Sequence, residues 1–337
     1  MNYPDHEWSL IIFNILGDLS VGVFVALGIV HFYAARKTDA KQASQLSTRA
    51  LLVLGPILVL GMLAVLGHVG NPERMFNMLS NLDTSWLARE VAFYGAFLVV
   101  GGVFAVLQAI TLLSPAQQER LPEGFRKALP TLRPILAWVA ALLGLAFVFS
   151  AAMIYYDPRL AARQTGWAHL YTPILFFADT GMLGALALGV GFVGNYLWLQ
   201  RKQKEPGAKE TLSIQEGLLR DAIQGASFVS IALIGVLFVT IPIYLVSLGA
   251  ENNNLNEAIL DMLHTDFAML WFLRLFLAFT GAGILSAFAW YLAVRPQRRQ
   301  RLFYLMIVGA FVCVLASEVI ARYLFYGRNA VLLIGGM

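Results

Sequence analysis

The sequence predicts an all-α integral membrane protein with eight transmembrane helices and both termini on the non-cytoplasmic side. Three observations carry this reading. First, 59% of the 337 residues are hydrophobic and only 13% are charged, whereas soluble domains run nearer half apolar and a quarter charged. Second, the apolar residues fall in long blocks, each close to the roughly 20 residues that a helix needs to cross the hydrocarbon core. Third, lysine and arginine concentrate in alternate loops between those blocks, the pattern of the positive-inside rule. The same figures exclude a soluble enzyme, a disordered chain and a collagen-like repeat.

The blocks, taken in order, place spans at about 8–33, 50–67, 90–113, 132–155, 173–199, 222–248, 268–294 and 302–326, one polytopic domain over 1–337. The first begins after a segment with no Lys or Arg and is too long for a signal-peptide core, so it is expected to remain as a span. The loops after spans one, three, five and seven hold 4, 4, 5 and 4 Lys plus Arg, a total of 17. The loops after spans two, four and six and the C-terminal tail hold 2, 2, 0 and 1, a total of 5. The basic group is therefore expected in the cytoplasm. Trp8, Trp86, Trp167 and Trp271 then lie near outer ends and Trp138, Trp198 and Trp290 near inner ends, as interfacial anchors do. Span five carries Gly181, Gly184, Gly189, Gly191 and Gly194, small residues that let helices approach closely in lipid. The most polar connector, 200–221, reads as a solvated cytoplasmic loop with a turn at Lys204-Glu205-Pro206-Gly207. The pI of about 9.2 reflects these basic loops rather than nucleic-acid binding.

The single cysteine, Cys313, leaves no disulfide framework, no four-thiolate iron–sulfur cluster and no structural zinc set. Chemistry is then sought among polar residues inside the spans, which are costly and mark sites or specific partners. Asn14 and Asp18 stand one turn apart in the outer half of span one. His68 closes span two on the outer side, and Glu90 opens span three there. Asp179 lies about two turns into span five, Arg274 in the outer half of span seven, and Glu318 and Arg322 one turn apart near the outer end of span eight. Nearly every intramembrane charge thus lies in the outer half; His31, at the inner end of span one, is expected to sit at the interface without a role. Arg274 is expected to snorkel. Glu318 and Arg322 can be an ion pair on one helix face or ligands. Asp18 can be a neutral hydrogen-bonding group or a functional one. The turn Gly70-Asn71-Pro72 after His68 cannot continue a helix, so the hairpin presents the His68 imidazole, the Arg74 guanidinium and the Glu90 carboxylate together, with Tyr94 one turn further along. Two histidines at matching depth for a bis-histidine haem are missing. A transported ion prefers charges near the midplane. A quinol needs an apolar groove, hydrogen bonds to its ring oxygens and bases for two protons, chemistry that His and Glu supply.

The residues also carry a resemblance. His6-Glu7-Trp8 followed by Leu10-Ile11-Ile12-Phe13 resembles the N-terminal signature of the membrane-anchor subunit of dimethyl sulfoxide reductase, the DmsC family, related to the NrfD-like quinol-interacting subunits. Gly67-His68-Val69-Gly70-Asn71-Pro72-Glu73-Arg74 resembles its His-x-Gly-x-Pro-x-Arg loop. Ser85 to Val91, with Arg89-Glu90, resembles the start of its third span, and Ser317-Glu318-Val319-Ile320-Ala321-Arg322 with Phe325-Tyr326-Gly327 its last. The resemblance implies an anchor for a molybdopterin catalytic subunit and a four-cluster iron–sulfur subunit in a bacterial cytoplasmic (inner) membrane, with site and partners on the non-cytoplasmic side. It implies menaquinol as the bound substrate, and no haem or iron–sulfur cluster in this chain. The roles it implies are proton acceptors for His68 and Glu90, with Arg74, Asp18, Asn14, Glu318, Arg322 and Tyr94 around the quinol. Anchors of selenate, polysulfide or tetrathionate reductases fit the same motifs. A secondary transporter using Asp18, Asp179 and Arg274 is the rival from another class.

Overall fold

The computed structural model describes residues 8–37, 55–64, 66–67, 72–111, 113–157, 170–201, 208–250, 254–295 and 300–334, with no strand among them. Seven helices among these residues are long and apolar enough to cross a membrane. In chain order the helices are α1 (Trp8–Lys37), the short apolar α2 (Gly55–Ala64), α3 (Trp86–Ile110), α4 (Glu123–Tyr156), α5 (Tyr171–Arg201), α6 (Ala208–Ala250), the short α7 (Asn254–His264), α8 (Ala268–Val294) and α9 (Gln300–Ile334). The seven long ones are α1, α3, α4, α5, α6, α8 and α9. The second expected span is represented by α2 alone, which is shorter than a crossing helix; the rest of 50–67 lies mostly outside the described residues.

Two helices form the centre. α1 and α5 bury 67% of their apolar stretches inside the protein, and the other long helices bury 22–39%. α1 packs mainly on α5, and α5 also on α6 and α9; α3 packs on α4, and α8 on α9. The α1–α5 contact is as close as backbones allow. A Cβ on Gly184 would overlap the Gly22 backbone, and one on Gly22 would overlap the Thr180 carbonyl. In lipid there is no hydrophobic force between helices, so such small-residue seams hold them through dispersion contacts. Of the five glycines expected to serve packing, Gly181 and Gly189 also meet neighbours (Leu233 and Ile307), while Gly191 and Gly194 face open space.

One end of the bundle, termed the N-face below, carries the start of α1 and the end of the crossing part of α9: the Trp8 and Tyr323 rings are 6.0 Å apart. At the opposite face Lys37 Nζ of α1 meets Asp221 Oδ2 of α6 at 3.0 Å, and the Tyr196 hydroxyl of α5 donates to Glu216 Oε2 at 3.0 Å. These bonds correct the reading of 200–221 as a solvated connector. From Ala208 onward the chain is already α6. Its polar residues are helix formers, tied by the Arg220–Glu216 pair at 2.6 Å. The Lys204–Gly207 turn lies outside the described residues. α4 likewise starts nine residues before the expected 132, at Glu123, where Glu123 and Lys127 pair at 2.7 Å.

The hairpin after span two is not all irregular. Pro72–Asn81 forms a 3-10 helix, with proline at the first helical position, where its missing N–H costs nothing. α3 then starts at a cap in which Ser85 Oγ accepts from the Ala88 N–H at 3.3 Å. Arg89 turns outward, donating to the Leu82 and Asp83 carbonyls at 2.6 Å each and lying 4.2 Å over the Trp86 ring. Its neighbour Glu90 therefore turns inward and is buried.

α8 contains a π-helical stretch, Phe279–Leu285. Its buried residues Arg274, Ala278, Ala282 and Ser286 recur every four positions. At 3.6 residues per turn, three such steps would rotate the stripe by about 120° off its partner. The wider π turn absorbs that drift and keeps the stripe on α9, where Gly281 abuts the Ala310 carbonyl and the Cys313 side chain.

Candidate functional site

Within about 15 Å of the N-face, measured at 1.5 Å per helical residue, α1, α3, α4, α5, α8 and α9 each contribute polar side chains to one buried cluster. At its centre is Arg322, 1% exposed and the largest fully buried side chain described. Its Nε donates to Glu318 Oε1, one turn back on α9, at 2.7 Å. Its Nη2 donates to Asp18 Oδ2 on α1 at 2.6 Å. Its guanidinium lies 3.9 Å over the Phe176 ring of α5. Charge-assisted bonds and a desolvated cation–π contact of this kind are the strong forms of each interaction.

The glycine seam explains why Asp18 reaches this place. Asp18 and Gly22 are one turn apart on α1, and Thr180 and Gly184 one turn apart on α5. Where the glycines let the backbones touch, the preceding turns bring Thr180 Oγ1 within 3.1 Å of Asp18 Oδ1, while the same hydroxyl donates to the Phe176 carbonyl at 2.8 Å. Glu90, 3% exposed, lies within electrostatic range of both Asp18 and Arg322. Among the described residues, Arg322 is the guanidinium that the structure brings towards it. The Arg74 backbone belongs to the 3-10 helix, but its side chain and all of His68 lie outside the described residues.

Behind Glu318 the cluster continues. Asp179 and Glu318 line one small cavity with Arg274, and the Arg274 guanidinium lies within electrostatic range of Tyr171, Asp179 and Glu318. The Ser317 hydroxyl donates to the Arg274 carbonyl at 2.9 Å. Contrary to the expectation that it snorkels to the surface, Arg274 is only 6% exposed. The reason is that Asp179, Glu318 and Tyr171 lie within electrostatic range of it inside the bundle, and a buried charge in a membrane needs such company. On the α4 side the Tyr155 hydroxyl donates to the Tyr326 hydroxyl at 3.2 Å, within an aromatic box that includes Phe176 and Phe325. Both tyrosines feel the Glu90 charge. Sequence reading misses this pair, since a tyrosine near a span end carries no signal that separates an interfacial anchor from a buried hydroxyl.

Two expected site residues stand apart. Tyr94 is fully buried, but its hydroxyl donates to the Leu58 carbonyl of α2 at 2.8 Å, and its ring packs 5.0 Å from those of Phe13 and Phe147. It fastens α2 to the bundle. Asn14 Nδ2 donates to the Leu10 carbonyl of its own helix at 3.0 Å. The structure thus brings together Asp18, Glu318 and Arg322, with Glu90 adjacent. Among the described residues no His, Cys, Asp and Glu group is placed to hold a metal ion.

Comparison with known proteins supplies the family. The model of the DMSO reductase anchor subunit (DmsC) family matches residues 1–328. The sequence is similar to the C subunit of the anaerobic dimethyl sulfoxide reductase of Escherichia coli, 27% identical over 329 residues that span 96% of this protein and 95% of that one. It is similar at 26% identity, over the same shares, to the YnfH subunit of an anaerobic dimethyl sulfoxide reductase of that organism. The C subunit of the Haemophilus influenzae anaerobic dimethyl sulfoxide reductase is 24% identical over 61% of this protein and 63% of its own length. With seven apolar crossing helices and a match over nearly its whole length, the chain is a multi-pass membrane protein that belongs to the DMSO reductase anchor subunit (DmsC) family.

Proposed function

We propose that this anchor is also the quinol-oxidising subunit of its complex. It would take electrons from menaquinol at the N-face and pass them to an iron–sulfur subunit that delivers them to a molybdopterin catalytic subunit. The observation that carries the reading is the inward-turned Glu90, buried one turn below the N-face beside the Asp18–Arg322–Glu318 bridge. A quinol hydroxyl needs a positioned base, and in the sequence His68 belongs to the connection that leads into the helix that carries Glu90. His68 and Glu90 accept the two protons. Arg74 holds charge that develops on a ring oxygen. Arg322, held by two carboxylates, sets the field at Glu90 and keeps Asp18 and Glu318 fixed beside it. An eighth crossing helix through 50–67 completes the fold, and the basic loops place the N-face on the non-cytoplasmic side of a bacterial inner membrane. Since the chain offers one cysteine for electron-carrying centres, the receiving cluster belongs to a partner docked on the N-face.

The test is turnover of the purified complex with menaquinol and, separately, with a dye reductant that feeds the partner subunits directly. His68→Ala and Glu90→Gln lower menaquinol-dependent turnover by about 10²–10⁴-fold and leave dye-driven turnover intact; Arg74→Ala lowers it as well. Full menaquinol turnover in all three variants refutes the assignment.

A further inference from the structure

The buried cluster contains more carboxyl groups than its cations neutralise. Asp18, Glu90, Asp179 and Glu318 are all buried, against two buried guanidiniums, Arg274 and Arg322. Uncompensated charge in a membrane interior is costly and is removed by protonation. Two of the four carboxyls therefore carry protons when the cluster is neutral. One proton has a place. The Asp179 and Glu318 carboxyls line one small cavity and lie within electrostatic range of each other, and two facing carboxyls bond each other only through a proton on one of them. No described N–H or O–H donor reaches Asp179 Oδ2, although the residue is only 3% exposed. The same two carboxyls, with Arg274 and Ser317, line a cavity of about 10 Å³ enclosed by α5, α6, α8 and α9. That is about the room one water molecule requires, in a polar setting that can hold it. The groups that face the pair are Arg322 through Glu318, Arg274 and Tyr171 through Asp179, and Ser317 at the cavity wall.

We propose that the Asp179–Glu318 pair, with one water in the adjoining cavity, is a second proton-binding site of the protein, and that it takes up one of the two protons released at the quinol site. The proposal rests on the quinol reading above and deepens it. In the resting cluster the pair shares one proton. Oxidation breaks the two O–H bonds of the quinol, and both electrons go to the iron–sulfur partner. One proton is taken at His68; the other is taken at Glu90, which hands one on to the remaining carboxylate of the pair. The pair returns to its shared-proton state by releasing that proton to water. Arg322 joins the two sites, since Glu318 and Asp18 occupy two of its nitrogens while its Nη1 has no described partner. A change of charge on Glu318 is therefore felt at Asp18 and Glu90.

The experiment is reduced-minus-oxidised infrared difference spectroscopy of the whole complex in liposomes, with menaquinol, in H₂O and D₂O. The wild type shows a protonated-carboxyl C=O band that shifts in D₂O and persists in Glu90→Gln. Asp179→Asn, nearly isosteric, abolishes that band and lowers menaquinol turnover by about 100-fold, the low end for a lost proton acceptor. Binding of a quinol-analogue inhibitor to Asp179→Asn stays within about twofold of wild type. Persistence of the band in Asp179→Asn, or unchanged turnover in that variant, overturns the proposal while the effects of His68→Ala and Glu90→Gln leave the quinol site standing. Should Asp179→Asn fail to assemble, the wild type decides: absence of any D₂O-sensitive carboxyl band beyond the one lost in Glu90→Gln overturns it.

Discussion

Replacing Arg322 by methionine removes a fully buried charge while keeping most of its length and apolar contact. Two charge-assisted bonds go with it, at 2.6 and 2.7 Å, and a stacking contact at 3.9 Å. What remains is more damaging than what is lost: Asp18 and Glu318, 0% and 4% exposed, face each other with no cation between them. Breaking a buried pair from one side costs about 3–5 kcal/mol, at least a hundredfold in the folded fraction. Removing both sides with the charge is far milder, since the penalty is the orphaned partner. Arg322→Met therefore lowers stability by about 3–5 kcal/mol, and Asp18→Asn with Glu318→Gln in the same chain recovers most of it. Unfolding in mixed detergent micelles, followed by tryptophan fluorescence, measures both, and the cycle isolates the coupling. Salt has little effect on the wild-type value, because the pair is not reached by the solvent that screens surface charges. A loss under about 1 kcal/mol for Arg322→Met, or a triple variant no better than the single one, refutes the bridge as the organising contact.

Gly184→Leu forces α1 and α5 apart and costs at least about 1–3 kcal/mol, whereas Gly191→Ala and Gly194→Ala, facing open space, stay within about 0.5 kcal/mol; the same unfolding assay ranks them. Tyr94→Phe removes the hydroxyl bond to the Leu58 carbonyl, costs about 1 kcal/mol, and raises protease sensitivity around α2. Tyr155→Phe keeps the aromatic box but removes the hydroxyl bond to Tyr326, so stability falls by only about 1 kcal/mol; a larger fall in menaquinol turnover than in dye-driven turnover places that pair in the proton path.

The long apolar helices are legible in the sequence because span length and charge are set by the bilayer itself. α1, α5 and α8 begin and end within a few residues of where hydropathy puts them. The helical extension at 208–221 is not legible, because polar residues that favour a helix and polar residues that favour a loop differ little until Lys37 and Tyr196 are seen to receive them. Among the charges, Asp18, Glu318 and Arg322 stand out as intramembrane outliers and prove to be mutual partners. Arg274 is visible but misjudged: depth along one helix cannot show that Asp179 waits on another. Tyr155 and Tyr326 leave no trace, since what makes them polar participants is their facing each other across α4 and α9.

The bond between Asp18 and Arg322 joins residues 304 positions apart in the chain, and this shapes how the protein is made. α1 enters the membrane carrying a carboxylate whose counter-ion lies in the last helix to be synthesised. Until α9 arrives, the central helix of the bundle is unfinished, and every earlier intermediate holds an unmatched acidic group in or beside the lipid. A chain that stops short of α9 therefore keeps an unpaired carboxylate in α1, at the centre of the bundle.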